Sequence, residues 1–355
     1  MKLKQLTKIG MIALSITIFT SCEKDTNDIF ISEGNYENGY FVTNEGNFNS
    51  GNGSISFVSN EGNVEDNVFA SVNLAPFETI GDVVQSMTII GKNAYIIVNG
   101  SAKIEVASLD SMINLATITG LTSPRYIASV SENKAYVTDW GVGVQVIDLN
   151  TNEITSTITT GVGSEDIAVS NGFAYVCNVG GWGLDNTVSI IDIASDMVVS
   201  NLVVGDKPNS VVVDVNGDVW VLTGGHTEYD ANWNVISETE GNLVRISNNS
   251  IVDSYSFSVG NHPEDLVINS DGNILYYSDG SFSKEVYAFN INDNQLSSNS
   301  LISKSFYGLG CANGYLYGTD AVDYVQNGWS FQYSTEGILL DSVQVGIIPG
   351  GYCFN

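Results

Sequence analysis

Ala135-Tyr136-Val137-Thr138-Asp139-Trp140-Gly141-Val142-Gly143-Val144-Gln145-Val146-Ile147-Asp148-Leu149 is the stretch that decides the fold. Two runs of β-branched and aromatic residues flank a polar, glycine-containing turn, which reads as an antiparallel hairpin. Both runs are almost continuously apolar, as expected of strands covered on both faces. Working outward, Ile127–Val130 and the turn Ser131-Glu132-Asn133-Lys134 precede the hairpin, and the more polar Glu153–Thr159 follows it. The unit is four strands, with polarity rising toward an outer edge.

The same unit recurs. Its second strand is marked by aromatics at Tyr40, Tyr95, Tyr136, Tyr175, Trp220, Tyr276 and Tyr317, spaced by 55, 41, 39, 45, 56 and 41 residues. A period near 40–45 residues built of strands points to propeller blades. The third strands read as Ile55–Ser59, Ile104–Leu109, Val144–Leu149, Val188–Ile193, Leu243–Ser247, Val286–Ile291 and Trp329–Ser334. The first unit lacks an inner strand, whereas the chain ends in an orphan one, Pro349-Gly350-Gly351-Tyr352-Cys353-Phe354-Asn355. That segment is similar to the inner strands opening Pro124-Arg125-Tyr126, Pro208-Asn209-Ser210 and Pro263-Glu264-Asp265. The expected fold is all-β: a seven-bladed β-propeller, four antiparallel strands per blade, with the C-terminal strand closing the first blade. No segment after residue 21 reads as a helix.

With 355 residues the chain can bury a large core without cross-links. Lys and Arg number 12 against 40 Asp and Glu, a net charge of −28. Such a chain repels phosphate backbones, which excludes nucleic-acid binding as a general function. Lys2, Lys4 and Lys8 precede an apolar stretch, Ile9 to Thr20, that is too short to span a bilayer and fits a signal peptide. Removal of those three Lys, with no acid, takes the net charge from −28 to −31. Three cysteines remain in the body of the chain, Cys177, Cys311 and Cys353, an odd number without CxxC spacing. They read as small thiols buried on strands, with a Cys311–Cys353 bridge as the alternative.

Two resemblances add to this reading. Phe19-Thr20-Ser21-Cys22 resembles a bacterial lipobox, which implies cleavage before Cys22 and lipidation of that residue. The implied organisation is a signal peptide at 1–21, a tether at 22–37 and the propeller at 38–355. Phe41-Val42-Thr43-Asn44, Tyr136-Val137-Thr138-Asp139 and Tyr175-Val176-Cys177-Asn178, with Val146–Leu149 and Ile190–Ile193, resemble the YVTN-type propeller repeat. That family implies seven blades in an exported protein, often without enzymatic activity. Similar lipoprotein propellers bind cobalamin for uptake beside an outer-membrane transporter. The resemblance therefore implies a cell-surface, outer-membrane protein with a small-molecule ligand and a transporter partner, and no cofactor.

Candidate binding residues follow from strand order. The loops joining second to third strands share one face with the blade-to-blade connections. Trp140, Trp182, His226, Tyr229, Trp233, Tyr324 and Trp329 lie in or beside the former; Arg125, His262 and Tyr352 come from the latter. Four Trp at about 150–250 Å² each exceed the usual exposed apolar patch of about 300–600 Å². Either the loops bury them among themselves or the face binds something. Catalysis has thin support: His226 and His262 are the two histidines, and no nucleophile motif sits near either. A pair of histidines in a propeller can serve a metal-assisted lyase; as loop residues they fit plain polar roles equally. Asp214-Val215-Asn216-Gly217-Asp218 lacks the further ligands of a calcium loop and reads as a hairpin turn. No catalytic residue and no metal ligand is assigned.

Overall fold

Side chains alternate between the two faces of a strand, and in each second strand that alternation feeds two different neighbours. Tyr95 and Ile97 pack with Ile127 and Val137 on the next blade, whereas Ile96 and Val98 pack back against Phe41 and Phe57. The computed structural model describes residues 36, 38–73, 79–281 and 283–355. The signal-peptide reading, Cys22 and nearly all of the tether lie outside the described residues.

The strands assemble into seven radial sheets. Blade 3, for instance, runs Pro124–Ser131, Lys134–Asp139, Gly143–Asp148 and Glu153–Ile158 from inside to outside. Blade 1 is completed from the C-terminus: Pro349–Phe354 pairs antiparallel with Gly39–Asn44, placing Phe354 opposite Tyr40 and Cys353 opposite Phe41. Blade 6 has three strands, Glu264–Ile268, Ile274–Asp279 and Glu285–Asn290. An isolated bridge between Val286 and Ile302 stands where its fourth would lie.

Seven apolar clusters fill the seven inter-blade gaps, so the core is itself a ring. The marker aromatics at 95, 136, 175, 220, 276 and 317 each pack toward the following blade. In blade 1 that place belongs to Phe41, which joins the cluster shared with blade 2, while Tyr40 faces back to Tyr317 of blade 7. Tyr40 is thus out of step by one residue, and a one-residue slip in a strand reverses the face. Tyr36, upstream of the expected propeller start, is buried against Phe41 and Phe57, with ring centroids 5.6 and 4.9 Å away.

Two details differ from expectation. A five-residue helix, Val68–Val72, follows blade 1 and tucks Val68 and Phe69 into the core. The long loop after the second strand of blade 5 forms its own hairpin, Thr227–Tyr229 with Val235–Glu238. The turn at Asp214 is a hairpin turn keyed by one carboxylate. Asp214 accepts from the backbone N–H groups of Asn216 and Asp218 and from Trp220 Nε1 at 2.9 Å. Cys177, Cys311 and Cys353 are free thiols on strands.

Candidate functional site

Inner strands of neighbouring blades share no backbone ladder, so side chains lace them together around the axis. Ser86 Oγ donates to the Arg125 carbonyl (2.7 Å), and Thr88 Oγ1 to that of Ile127 (3.2 Å). Asp166 Oδ2 accepts from the Val211 N–H (2.8 Å), and Asn209 Nδ2 donates to the Pro263 carbonyl (2.9 Å). Six of the seven inner strands also carry a register shift near their first residues, between Val84/Ser86, Pro124/Ile127, Ser164/Ile167, Pro208/Ser210, Glu264/Val267 and opposite Thr43/Asn44. A bulge re-aims the residue it displaces. Here it turns Gln85, Arg125, Glu165 and Asn209 into a common ring, which Glu264 and Asp265 join from blade 6.

That ring lines a central cavity of about 840 Å³, within the roughly 300–1,000 Å³ of small-molecule sites. It lies at the end of the molecule carrying the second-to-third loops, since Ser281, Val322 and Tyr324 also line it. At the blade 1 position of the ring stands Gly350. A Cβ there would meet Glu45 Oε1 at 2.8 Å, so the glycine makes room for a carboxylate supplied by the neighbouring strand. Glu45 Oε2 accepts from the Tyr307 hydroxyl (3.1 Å), and burial raises its pKa.

Arg125 is the best-fixed group in the ring. Its Nε and Nη2 donate to both oxygens of Glu165 at 2.8–3.1 Å, and Nη1 donates to Gln85 Oε1. Its guanidinium lies 4.5 Å from the Trp140 ring, whose Nε1 donates to Glu165. A planar fork held by a carboxylate, an amide and an indole face is preorganised. Lys284 is likewise tied to Glu264. Among the described residues six carboxyl groups line the cavity, from Glu45, Glu165, Asp166, Glu264, Asp265 and Asp320, against two cations. Both lining cations are paired, so the surplus capacity accepts hydrogen bonds, which suits amide, hydroxyl or amine donors and disfavours free anions.

Two of those carboxyls hold protons tightly. Burial pushes Asp166 up to about 7, against the N–H bonds from Val211 and Ile167 that pull it down. Burial pushes Asp265 up to about 8, reinforced by Glu264 and opposed by Lys284, and among the described residues its Oδ2 has no hydrogen-bond partner. An unfolded Asp titrates near about 3.9, so between about pH 4 and 8 the folded state binds more protons and stability falls as pH rises. We expect melting temperature to decline by several degrees from about pH 5 to about pH 8. The Asp166→Asn/Asp265→Asn double variant should flatten that slope, whatever its absolute stability. Thermal melts across pH check this; parallel slopes in the two proteins would contradict it.

Of the residues singled out from the sequence, Arg125, Tyr324 and Tyr352 line the cavity. Trp140 supports Arg125 and meets Trp182 edge-on at 5.6 Å, leaving Trp182 96% exposed. Tyr229 and Trp233 pair at 6.0 Å on the blade 5 hairpin, with Trp233 82% exposed. Trp329 stands half-exposed on the third strand of blade 7. Among the described residues no ring contact joins these groups. His262 Nδ1 donates to the Gly224 carbonyl (2.8 Å), and its Nε2 lies 3.1 Å from Thr227 Oγ1. It thereby fastens the base of the hairpin, where the His226 N–H bonds Thr239 Oγ1 at 2.9 Å. Among the described residues no group of three or more His, Cys, Asp or Glu is placed to hold a metal ion.

Gln85, Glu165, Asn209 and Glu264 escaped the sequence reading, although a signal was present. Pro124-Arg125-Tyr126, Pro208-Asn209-Ser210 and Pro263-Glu264-Asp265 were legible as strand starts; in the first two the residue after Pro is displaced by the bulge, whereas in blade 6 Glu264 stays paired with Ser278 and the bulge falls on Asp265 and Leu266.

Comparison with known proteins bears on the fold. A quinonprotein alcohol dehydrogenase-like protein from Bacteroides thetaiotaomicron is 16% identical, with a TM-score of 0.64 over 90% of this chain and 79% of that one. A putative 6-phosphogluconolactonase from Bacteroides uniformis is 12% identical, with a TM-score of 0.64 over 89% of this chain and 99% of that one. A periplasmic gluconolactonase from Pseudomonas aeruginosa is 10% identical, with a TM-score of 0.64 over 88% and 98%. At such identities the likeness is one of architecture. No curated protein matches the sequence. The profile of a family described as a domain of unknown function, DUF5074, matches residues 38–344, almost the whole ring, and the chain belongs to that family.

Proposed function

We propose that this protein is a non-enzymatic, lipid-anchored propeller that captures a small-molecule nutrient on its loop face and passes it to an outer-membrane transporter. The observation that carries the capture step is the acceptor-rich central cavity, with Arg125 fixed at its wall by Glu165, Gln85 and Trp140. The anchor and the outer-membrane location rest on Lys2, Lys4, Lys8 and the Phe19-Thr20-Ser21-Cys22 motif. The lipoprotein resemblance makes a cobalamin-like molecule the first ligand to try. Its flat ring would rest on the rim near the exposed indoles, and its amide fringe would reach the carboxylates and Asn209 below.

Titration calorimetry of the purified protein with cobalamin, haem and a siderophore panel tests this, with saturable binding to one of them expected. Silence across the panel removes the nutrient-capture reading. A second reading, a docking scaffold for a membrane partner, is favoured by the exposure of Trp182 and Trp233, since such residues anchor protein interfaces. Co-purification from detergent-solubilised membranes separates the two.

A further inference from the structure

Blades 7 and 1 meet in a second cavity, of about 630 Å³. It is lined by the turn at Asn60–Gly62 and by Asn313, so it opens at the end opposite the second-to-third loops. Its origin is a mismatch at the closing seam. The outer strand of blade 1 is two residues long, Val64–Glu65, whereas that of blade 7 is nine, Leu339–Ile347. The long strand overhangs a place that the short one leaves unfilled.

Tyr40 and Tyr317 form an aromatic floor, with centroids 4.8 Å apart at 55°. Their hydroxyls are held: Tyr40 Oη lies 3.3 Å from Ser330 Oγ, and Gln332 Nε2 donates to Tyr317 Oη at 3.3 Å. Tyr315 meets the edge of Tyr317 at 6.5 Å and remains 38% exposed, a ring platform beside the opening. Among the described residues no Lys or Arg lines this cavity, while Asp341 and Glu61 do, which disfavours anionic ligands.

We propose that this seam binds a neutral saccharide of one or two rings. A sugar has an apolar C–H face, which matches Tyr315, and a fringe of hydroxyls, which matches amide and carboxylate groups such as Gln332, Asn60 and Asp341. An amine or quaternary ammonium would instead want ring faces converging on a point. Here two of the three rings are packed on each other and their hydroxyls are engaged, so the arrangement is a platform with polar walls.

The test uses the intact protein, titrated with glucose, maltose and cellobiose, and separately with choline chloride. Millimolar binding of a saccharide is expected. Tyr315→Ala should weaken it about tenfold, and Gln332→Ala should weaken it too, both with unchanged melting temperature. Binding of ligands at the central cavity should be unaffected, because the two cavities share none of the residues the argument uses. Absence of saccharide binding, preference for choline, or a Tyr315→Ala variant with wild-type affinity would each overturn the proposal.

Discussion

Deleting residues 349–355 should leave a protein that no longer melts as one cooperative unit, or that melts at least about 10 °C lower. The segment is the inner strand of blade 1, paired from Asn44 through Tyr40. Its removal uncovers Tyr40 and Tyr317, on which Tyr352 and Phe354 pack at 5.0–6.0 Å. Cys353 is buried and Tyr352 and Phe354 are partly buried, and losing apolar side chains of this size costs up to about 1.5–3 kcal/mol each, before any ladder hydrogen bond is counted. That approaches the roughly 5–15 kcal/mol by which a domain is stable at all. It also opens the wall of the central cavity, since Gly350, Gly351 and Tyr352 line it. Calorimetric melting of the truncated chain decides the matter; a retained melting temperature would mean that the ring does not depend on its closure.

The second large effect is expected at Arg125 and Glu165. Their side chains are 16% and 9% exposed, so the pair is mostly withdrawn from water. Removing one member of such a pair strands the other and costs about 3–5 kcal/mol. Arg125→Ala leaves Glu165 with the Trp140 N–H alone among its side-chain donors, and Glu165→Ala leaves a cation facing Gln85 and the Trp140 ring. Each single variant should therefore melt about 6–10 °C lower, taking roughly 2 °C per kcal/mol. Arg125→Met/Glu165→Leu should recover most of the loss, because apolar replacement removes both desolvated charges together. Thermal melts of Arg125→Met, Glu165→Leu and their combination form a double-mutant cycle, and additive losses would contradict the coupling. The double variant also separates binding from folding: it should fold, and it should bind the captured ligand more weakly.

The ring was legible because its determinants are local and repeated. An apolar second strand with an aromatic every 40–45 residues fixes the blade, and an orphan strand at Pro349 fixes the closure. The strand limits fell within one or two residues of expectation, as at Gly143–Asp148. The misassignment of Tyr40 for Phe41 arose where two adjacent aromatics occur and only the packing partner decides which faces blade 2. The cavity was less legible. Arg125 stood out as a rare cation and Tyr352 as an aromatic in the closing strand, but Gln85, Glu165 and Asn209 are unremarkable in a chain rich in such residues. What brings them together is a bulge, a backbone feature without a residue signature of its own. The Trp residues drew attention by size, yet Trp140 acts through Arg125 and Glu165, and Trp220 is fully buried between blades 5 and 6.

The most direct measurement is hydrogen–deuterium exchange of the intact protein with and without saturating cobalamin. Capture in the central cavity predicts slowed exchange at the starts of the inner strands, in peptides containing 84–88, 124–127, 164–167 and 208–211. Protection confined to the loops around Trp182 and Trp233, or unchanged exchange at all four strand starts, would contradict it.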